Sequence, residues 1–498
     1  MKKKLESYKV NASGLIADVI ISDTGEFVPV YEIKIPEVGV ATKNILSQVK
    51  SELIKLSKVR MKEVLDPRIF EKMKQEFLTN AEKKIKEYLP DLKPDEVKLL
   101  VGLVVNEMLG LGDIEVPLSD EELEEIVING SAEPVWVYHR RYGWLKTNIF
   151  LPSEENILDY ANMIGRRVGR QINILNPLMD AHLITGDRVN ATLFPISTKG
   201  NTITIRKFAR KPWTITDFIT LNTLNNEIAA LLWLCIQYEL NVLISGGTGS
   251  GKTSTLNTIL PFIQPNQRIV SIEDTRELSL PKYQHWVPLT TREPNPEGKG
   301  EVSMLDLMIN ALRMRPDRIV VGEIRRQREA EVLFEAMHTG HSVYSTLHAD
   351  SAEQVKRRLI TPPINIPEPL LESLHLIIIQ YRHRRLGIRR TIEVAEVMPV
   401  GESRAETGVD IRLLYRWRPR EDKIVKEKDS MRVFSEIALL TGLTQKELEE
   451  DLSEKKRILA WMVDNKINDV HKVGEVIAKY YKNKSEILDY VEKNKPYE

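Results

Sequence analysis

Residues 242–254 read VLISGGTGSGKTS, an apolar run followed by a glycine-rich loop, a lysine and hydroxyl residues. The stretch matches the phosphate-binding pattern G-x-x-x-x-G-K-[ST], with a strand predicted before the loop and a helix after it. Glycines let the backbone turn so that successive amides point at phosphate oxygens, and the helix start adds its positive end. The loop therefore predicts ATP binding by the following residues: Gly246, Gly247, Thr248, Gly249, Ser250, Gly251, Lys252, Thr253 and Ser254.

Two side chains of this loop have distinct expected roles. Lys252 is expected to reach the β and γ phosphates, and the hydroxyl of Thr253 is expected to ligate Mg²⁺. A chance glycine-rich turn is the alternative, but the flanking strand and helix patterns make it a poor explanation. ATP and Mg²⁺ are therefore the predicted ligands.

Two further apolar strands end in carboxylates. Residues 268–272 precede Glu273, and residues 318–321 precede Gly322 and Glu323. Ligands of an open parallel sheet bind beyond the carboxyl ends of its strands, so both glutamates are expected beside the phosphate-binding loop. A carboxylate there holds the magnesium shell or polarises the attacking water, and Glu323 is also a predicted metal ligand. A solvated acid at a strand end is the alternative for either residue.

Three histidines lie close together in the sequence, at His338, His341 and His348. A zinc site is one interpretation, but no H-E-x-x-H motif occurs and the spacing crosses a predicted helix, turn and strand. His348 follows the predicted strand 342–346 at its phosphate-side end, where it suits a hydrogen bond that senses phosphate. A histidine held within the packing is the alternative for each.

Composition limits the class of protein. A chain of 498 residues predicts two to four domains. With 71 basic and 71 acidic residues the formal net charge is zero, so no overall field attracts nucleic acid or an anionic membrane. No secretory signal is recognised at the start, and no apolar run approaches the roughly 20 residues that span a bilayer. We therefore expect a cytoplasmic protein that reaches a membrane only through a partner.

Pattern changes along the chain predict its domain organisation. The phosphate-binding loop lies where helices alternate with short apolar strands, which is typical of a parallel sheet buried on both faces. The predicted parts are an unassigned segment 1–60, a helical subdomain 61–118, an α+β N-terminal domain 119–207, a linker 208–222, an ATPase domain 223–400 and a C-terminal helical domain 401–498.

Four segments in order, 246–253, 272–277, 312–325 and 339–348, resemble the Walker A, Asp box, Walker B and His box of the secretion ATPase superfamily. That superfamily powers type II and type IV secretion, type IV pili and the archaellum. The resemblance implies an α/β fold, with a RecA-like P-loop domain between a helical plus α+β N-terminal domain and a helical C-terminal domain. It also implies a hexameric ring.

The resemblance implies roles for individual residues as well. Glu323 looks like the Walker B glutamate needed for hydrolysis, and Glu273 like the Asp box acid near the attacking water. His341 and His348 fall in the His box and are taken as catalytic candidates. Gly322 stands where many other P-loop proteins have an aspartate.

Upstream segments 176–181 and 186–191 resemble the N-domain signature of the same superfamily. The resemblance makes Arg170, Arg188 and Arg206 candidates to meet nucleotide at a subunit boundary. An arginine suits that task because its planar fork contacts phosphate oxygens and keeps its charge. A surface or domain-packing ion pair is the alternative for each arginine.

Within the superfamily, segments 142–148, 200–208 and 212–214 look most like the archaellum motor ATPase of archaea. This implies a homohexamer that turns ATP hydrolysis into mechanical work for archaellum assembly and rotation. The implied partner is a polytopic platform protein, which would hold the ring at the inner face of the cell membrane. An archaeal type IV pilus or type II secretion assembly ATPase is the alternative.

The basic cluster 382–390 suggests a more distant alternative, a nucleic-acid translocating ATPase. It contains Arg382, His383, Arg384, Arg385, Arg389 and Arg390. Aromatic residues for base stacking are not interleaved, so a solvated hairpin that turns at Gly387 is preferred and no nucleic-acid partner is expected. The same cluster is a candidate surface for the platform protein.

Overall fold

The computed structural model describes residues 3–56, 67–183, 186–208, 211–294, 298–400 and 408–497. Contacts divide the chain into two compact units, Met1–Arg210 and Lys211–Glu498. Each unit contains a sheet of nine described strands.

The first unit has nine described strands and five described helices. The strands are β1 (Lys3–Ala12), β2 (Leu15–Asp23), β3 (Val30–Lys34), β4 (Leu123–Asn129), β5 (Trp136–His139), β6 (Gly143–Thr147), β7 (Leu178–His182), β8 (Arg188–Thr192) and β9 (Thr202–Arg206). The helices are α1 (Val40–Leu56), α2 (Pro67–Tyr88), α3 (Pro94–Leu109), α4 (Glu115–Ser119) and α5 (Glu154–Arg167).

The first sheet has the order β1-β2-β3-β6-β5-β4-β9-β8-β7. Its neighbouring strands pair antiparallel apart from the parallel pair β3 and β6. One face is buried and the other open, as the alternation in β8 shows: Arg188 is exposed, Val189 buried and Asn190 exposed. Helix α5 begins after Ser153, whose hydroxyl accepts a hydrogen bond from the amide of Asn156.

Segment 1–60, left unassigned from its sequence, supplies β1 to β3 and α1 in the described part. Its inward residues Ala12, Ala17 and Val19 are fully buried in the same apolar core as β4 to β9. The polar residues between the apolar positions hid this alternation. They are the open face of the sheet rather than evidence of a loop.

The second unit has nine further strands and ten helices in its described part. The strands are β10 (Val242–Gly246), β11 (Arg268–Glu273), β12 (His285–Thr290), β13 (Arg318–Val321), β14 (Ser342–Leu347), β15 (Leu376–His383), β16 (Ile388–Val400), β17 (Gly408–Arg418) and β18 (Lys423–Lys426). The helices are α6 (Ile215–Thr220), α7 (Asn226–Gln237), α8 (Lys252–Ile259), α9 (Met304–Ala311), α10 (Gln327–His338), α11 (Ala352–Ile360), α12 (Arg432–Thr441), α13 (Gln445–Asp464), α14 (Val470–Lys482) and α15 (Lys484–Glu492).

The second sheet has the order β12-β11-β13-β14-β10-β15-β16-β17-β18. Neighbouring strands pair parallel along the sheet from β12 as far as β15. From β15 to the edge strand β18 they pair antiparallel. Every residue of β10, β13 and β14 is buried, as expected for a parallel sheet covered on both faces. One strand, β14, separates β10 from β13, which is the RecA-like arrangement and confirms the predicted α/β fold.

Two predicted segments differ from the structure. The C-terminal segment 401–498 was expected to be helical, but its described part starts with β17 and β18, which extend the sheet. The predicted linker 208–222 contains α6, whose Ile215 and Phe218 are buried in the core of the second unit. Both misassignments concern elements whose apolar residues are recognisable only through what they pack against.

Helices α12 to α15 complete the second unit. Thr444 caps α13 and forms a capping box with Glu447. Trp233 of α7 stacks on Phe262 with ring centroids 5.2 Å apart. The ring of Tyr480 in α14 lies edge-on to Trp233, with the centroids also 5.2 Å apart. Among the helices that the structure describes, none has the length and apolar character needed to cross a membrane.

Candidate nucleotide-binding site

The loop between β10 and α8 depends on glycine for its shape. Gly246, Gly249 and Gly251 have φ angles of 146°, 69° and 96°, a region that other residues rarely adopt. A Cβ on Gly246 would lie 2.1 Å from the carbonyl oxygen of Gln380 on the neighbouring strand β15. The glycines of the motif are therefore required by the backbone turn and by the close approach of β15.

Lys252 is the first residue of α8, and its side chain folds back over the loop. Its Nζ donates hydrogen bonds to the carbonyl oxygens of Gly246, at 3.0 Å, and Gly247, at 3.1 Å. The residue is only 9% exposed. A phosphate oxygen makes a stronger, charge-assisted partner than these neutral carbonyls. Lys252 is thus held over the cradle where a phosphate group would replace its present contacts.

His348 connects Lys252 to Glu323. Its Nδ1 lies 3.1 Å from Nζ of Lys252, and its Nε2 lies 2.8 Å from Oε1 of Glu323. Burial, and then the positive charge of Lys252, lowers the pKa of His348. A neutral ring with its proton on Nε2 satisfies both contacts, because Nδ1 then accepts from lysine while Nε2 donates to glutamate. His348 therefore lies beside the loop lysine at the end of β14, and its role in sensing phosphate stays a prediction.

Arg325 holds the other side of Glu323. Its Nε and Nη2 donate to Oε2 of Glu323 at 2.8 and 2.7 Å, and its Nη1 contacts Asp274. Glu323 is therefore oriented by a histidine on one oxygen and an arginine on the other. Local sequence predicts no role for Arg325, since an arginine two residues after a strand-end acid has no distinctive pattern.

Glu273 lies beside Glu323 but is more deeply buried. The two strand ends are adjacent, because the amide of Gly322 donates to the carbonyl of Ile272 at 2.8 Å. Oε1 of Glu273 accepts from the amides of Glu277 and Leu278 at 2.8 and 3.0 Å, while Oε2 is buried without a partner among the described residues. Burial raises the pKa of Glu273 to about 7. This acid is therefore half protonated near neutral pH.

A cleft of about 530 Å³ opens beside the first half of the loop. Its lining includes Gly246, Gly247 and His348, together with Arg357 and Arg358 from the last turn of α11. The two arginines were not among the predicted site residues. They add positive charge to the cleft, and nothing in their local sequence separates them from any solvated helix end.

The structure does not bring His341 into this site. His341 precedes β14 whereas His348 follows it, so the two histidines lie at opposite ends of a strand of six residues. Such a strand spans about 20 Å. The nearby contact of His341 is with Thr339, whose Oγ1 lies 3.4 Å from Nδ1. The His box resemblance groups both histidines, but the whole of β14 lies between them. A catalytic role for His341 stays a prediction.

The three predicted arginines lie in the first unit. Arg188 and Arg206 are directly opposite each other on β8 and β9, and both are exposed. Arg188 already holds Asp180, with Nε to Oδ1 at 3.1 Å and Nη2 to Oδ2 at 2.5 Å. Arg170 lines a separate cleft of about 740 Å³ within this unit. A role for these arginines in nucleotide binding stays a prediction.

The residues present fit ATP and Mg²⁺. The loop offers glycine amides and a lysine, and Thr253 and Ser254, the next residues of α8, are half-buried. In the described part of the chain, His, Cys, Asp and Glu side chains form no group of three or more that could hold a metal ion. Mg²⁺ needs no such group, because it binds through one or two protein oxygens and substrate phosphates. Thr253 and Glu323 are the predicted protein ligands.

Comparison with known proteins gives a family. Residues 179–408 match the family model for type II/IV secretion system proteins. The chain is 36% identical to uncharacterized protein MJ0900 of Methanocaldococcus jannaschii over 416 residues. The aligned region covers 82% of this chain and 74% of the relative.

Two further relatives have descriptive names. The putative conjugal transfer protein Rv3659c of Mycobacterium tuberculosis is 32% identical over 53% of this chain and 76% of the relative. The type IV secretion system protein PtlH of Bordetella pertussis is 30% identical over 55% of this chain and 90% of the relative. The solved structure of the Legionella pneumophila ATPase DotB is 22% identical in sequence, with a TM-score of 0.41. The match covers 73% of this chain and 89% of the DotB chain. From the family match and these sequence relatives, the chain belongs to the type II/IV secretion system protein family.

Proposed function

We propose that this chain is an ATPase that hydrolyses ATP at the loop between β10 and α8. The observation that carries the proposal is the contact series from Lys252 through His348 to Glu323. It joins a side chain suited to hold phosphate to a carboxylate suited to handle the attacking water. Such a pairing is what phosphoryl transfer to water requires.

Each residue then has a defined task. The loop amides and Lys252 bind and orient the phosphates, and Glu323 accepts a hydrogen bond from the attacking water. Arg325 and His348 keep the Glu323 carboxylate in place. Mg²⁺, when bound by Thr253 and substrate oxygens, supplies positive charge that neutralises the developing negative charge. Because His348 contacts Lys252 and Glu323 at once, a phosphate that draws Lys252 away changes the setting of Glu323 as well.

The ring is part of the same proposal. We infer a homohexamer in which Arg188, Arg206 or Arg170 of one subunit meets the nucleotide of another. Support comes from the placement of Arg188 and Arg206 side by side on an exposed sheet face, where a second molecule has access to them. Arginines supplied in this way stabilise the transition state for phosphoryl transfer.

The ring would drive a membrane machine through a polytopic platform protein at the inner face of the cell membrane. Segments 142–148, 200–208 and 212–214 favour the archaellum motor. The names of two relatives, a conjugal transfer protein and a type IV secretion system protein, favour the second candidate, a pilus or secretion assembly ATPase. A deletion strain separates the two: an archaellum motor is needed for swimming, and a pilus enzyme for adhesion alone. Rotating archaella in the deletion strain would contradict the first candidate.

Glu323→Gln tests the hydrolysis proposal. The change removes the carboxylate charge and nearly keeps its size, so turnover is expected to fall about 100-fold or more while the Kd for ATP changes little. The matched control is Glu335→Gln, because Glu335 is an exposed glutamate on α10. Steady-state phosphate release and calorimetric ATP titration give the two quantities. Unchanged turnover in Glu323→Gln, or its loss together with ATP binding, would contradict the assigned role.

A further inference from the structure

The hairpin formed by β15 and β16 carries the basic cluster 382–390. The strands pair antiparallel, with Arg382 opposite Arg389, and turn at Gly387, whose φ is 67°. β15 also pairs parallel with β10, so that Gln380 lies opposite Gly246 at the start of the phosphate-binding loop. This register carries the end of the hairpin over the loop.

Two arginines of the hairpin contact the second half of that loop. Arg389 donates from Nε to the carbonyl oxygen of Gly249 at 3.1 Å. Nη1 of Arg382 lies 2.9 Å from the position that a Cβ on Gly249 would take, and Cδ of Arg389 lies 3.5 Å from the corresponding position on Gly251. Both arginines are half-buried, so the cluster is not the uniformly solvated hairpin expected from its sequence.

The other arginines of the cluster have different surroundings. Arg390 is 6% exposed and pairs with both carboxylate oxygens of Asp422 at 2.7 Å, so it stabilises the fold. Arg384 and Arg385 lie in the turn and are exposed. The hairpin therefore carries a structural arginine, two solvated arginines, and two that lie against the loop.

The loop consequently has two unlike flanks. Gly246 and Gly247 accept hydrogen bonds from Lys252, which in turn reaches His348 and Glu323 on the hydrolytic side. Gly249 and Gly251 instead have Arg382 and Arg389 beside them. A cationic flank away from the hydrolytic carboxylate suits the phosphates that stay with the nucleoside, since guanidinium groups bind phosphate oxygens tightly.

We propose that Arg382 and Arg389 form a clamp for the diphosphate part of the bound nucleotide, which ATP and ADP share. The inference rests on the proposed function, because it assigns residues to the same nucleotide site. It predicts that these arginines contribute to affinity for ADP as much as for ATP. They are then binding residues for the nucleotide and not a docking surface for the platform protein.

Calorimetric titration of the full chain with ATP and with ADP tests the clamp. Arg382→Ala with Arg389→Ala is expected to raise both Kd values by about tenfold or more, which is about 1.4 kcal/mol or more, because hydrogen bonds to charged phosphate oxygens are lost. The matched control, Arg384→Ala with Arg385→Ala, removes the same charge from the same hairpin and is expected to leave both Kd values within about twofold. Each arginine is also changed alone, so that a double variant that fails to fold does not remove the test.

The outcomes separate this inference from the proposed function. Binding of ATP and ADP by the unaltered chain, with equal Kd values in all hairpin variants, would overturn the clamp and leave the ATPase proposal standing. A loss of ATP affinity with unchanged ADP affinity would also overturn it, since the contact would then be with the γ-phosphate. No nucleotide binding by the unaltered chain would overturn both.

Discussion

The two nine-stranded sheets place their chemistry in different ways. In the second unit every residue of β10 and β14 is buried and none is charged, and Lys252 and His348 lie beyond the ends of these strands. In the first unit β8 alternates, so Arg188, the first residue of that strand, lies on the open face of the sheet. A sheet covered on both faces confines its site to the strand ends, whereas a half-covered sheet carries charged residues on its open face. Variants at Lys252, Arg188 and Glu273 test that contrast.

Lys252→Ala tests whether the cradle of the second unit is complete in itself. Turnover is expected to fall about 1000-fold, because the change removes the cation that the transferred phosphate contacts. Folding should persist, since Nζ bonds two loop carbonyls and His348 and is not part of the apolar core. Phosphate release and a thermal melting curve measure the two effects.

The control for this change is Lys446→Ala, because the side chain of Lys446 is 85% exposed in a helix of the same unit. Near-normal hydrolysis in Lys252→Ala would place the site elsewhere. A large fall in the melting temperature, or loss of the unfolding transition, would instead show that Lys252 is needed for folding.

Arg188→Ala tests the open face of the first unit. If this arginine meets nucleotide across a subunit boundary, turnover is expected to fall about 100-fold while ATP binding changes little. Asp180→Ala is the matched control, since it breaks the same ion pair and leaves the arginine in place. That exposed pair contributes only about 0–1 kcal/mol, so neither variant should unfold.

Equal losses in Arg188→Ala and Asp180→Ala would show that only the ion pair matters. Full specific activity in a verified monomer at high dilution would contradict the subunit-boundary role altogether. Either result would break the contrast between the two sheets, because both would then carry self-contained functions.

Glu273→Gln tests how far burial at the strand ends tunes the site. With a pKa of about 7, Glu273 is mostly protonated at pH 6 and mostly ionised at pH 8. If the ionised form supports catalysis, turnover should rise about tenfold over that range, and the variant should lose this rise. A pH–rate profile of both proteins checks the expectation, and an unchanged inflection near pH 7 in the variant would assign it to another group.

The same residue makes a prediction for stability. The native chain keeps a proton on Glu273 between pH 4.5 and about 7, where the unfolded chain has lost it. The free energy of unfolding is therefore expected to fall as pH rises through that window, and Glu273→Gln should flatten the fall. Denaturant unfolding of both proteins at pH 5 and pH 8 measures the difference. An equal change in the free energy of unfolding between the two pH values in both proteins would show that burial of this acid has no energetic consequence.

Local patterns in the sequence were enough to find the nucleotide site. The glycine-rich loop, the apolar strands before Glu273 and Glu323, and the position of His348 after β14 all follow from short stretches, and the structure brings these residues to one sheet edge. Such stretches are informative because strand polarity and glycine geometry act over a few residues. The capping box at Thr444 was predictable for the same reason.

Contacts between distant segments could not be predicted in this way. Arg389 and Gly249 are 140 positions apart, and Arg325 reaches Asp274 across 51 positions. Three arginines of one hairpin that look equivalent in the sequence have different surroundings: Arg389 contacts the loop, Arg390 pairs with Asp422 and Arg384 lies in a solvated turn. The amino acids alone determined which groups can bind phosphate. Which of these groups lie at the loop depends on the tertiary structure, because strand register and packing set which side chains meet the loop and which are held elsewhere.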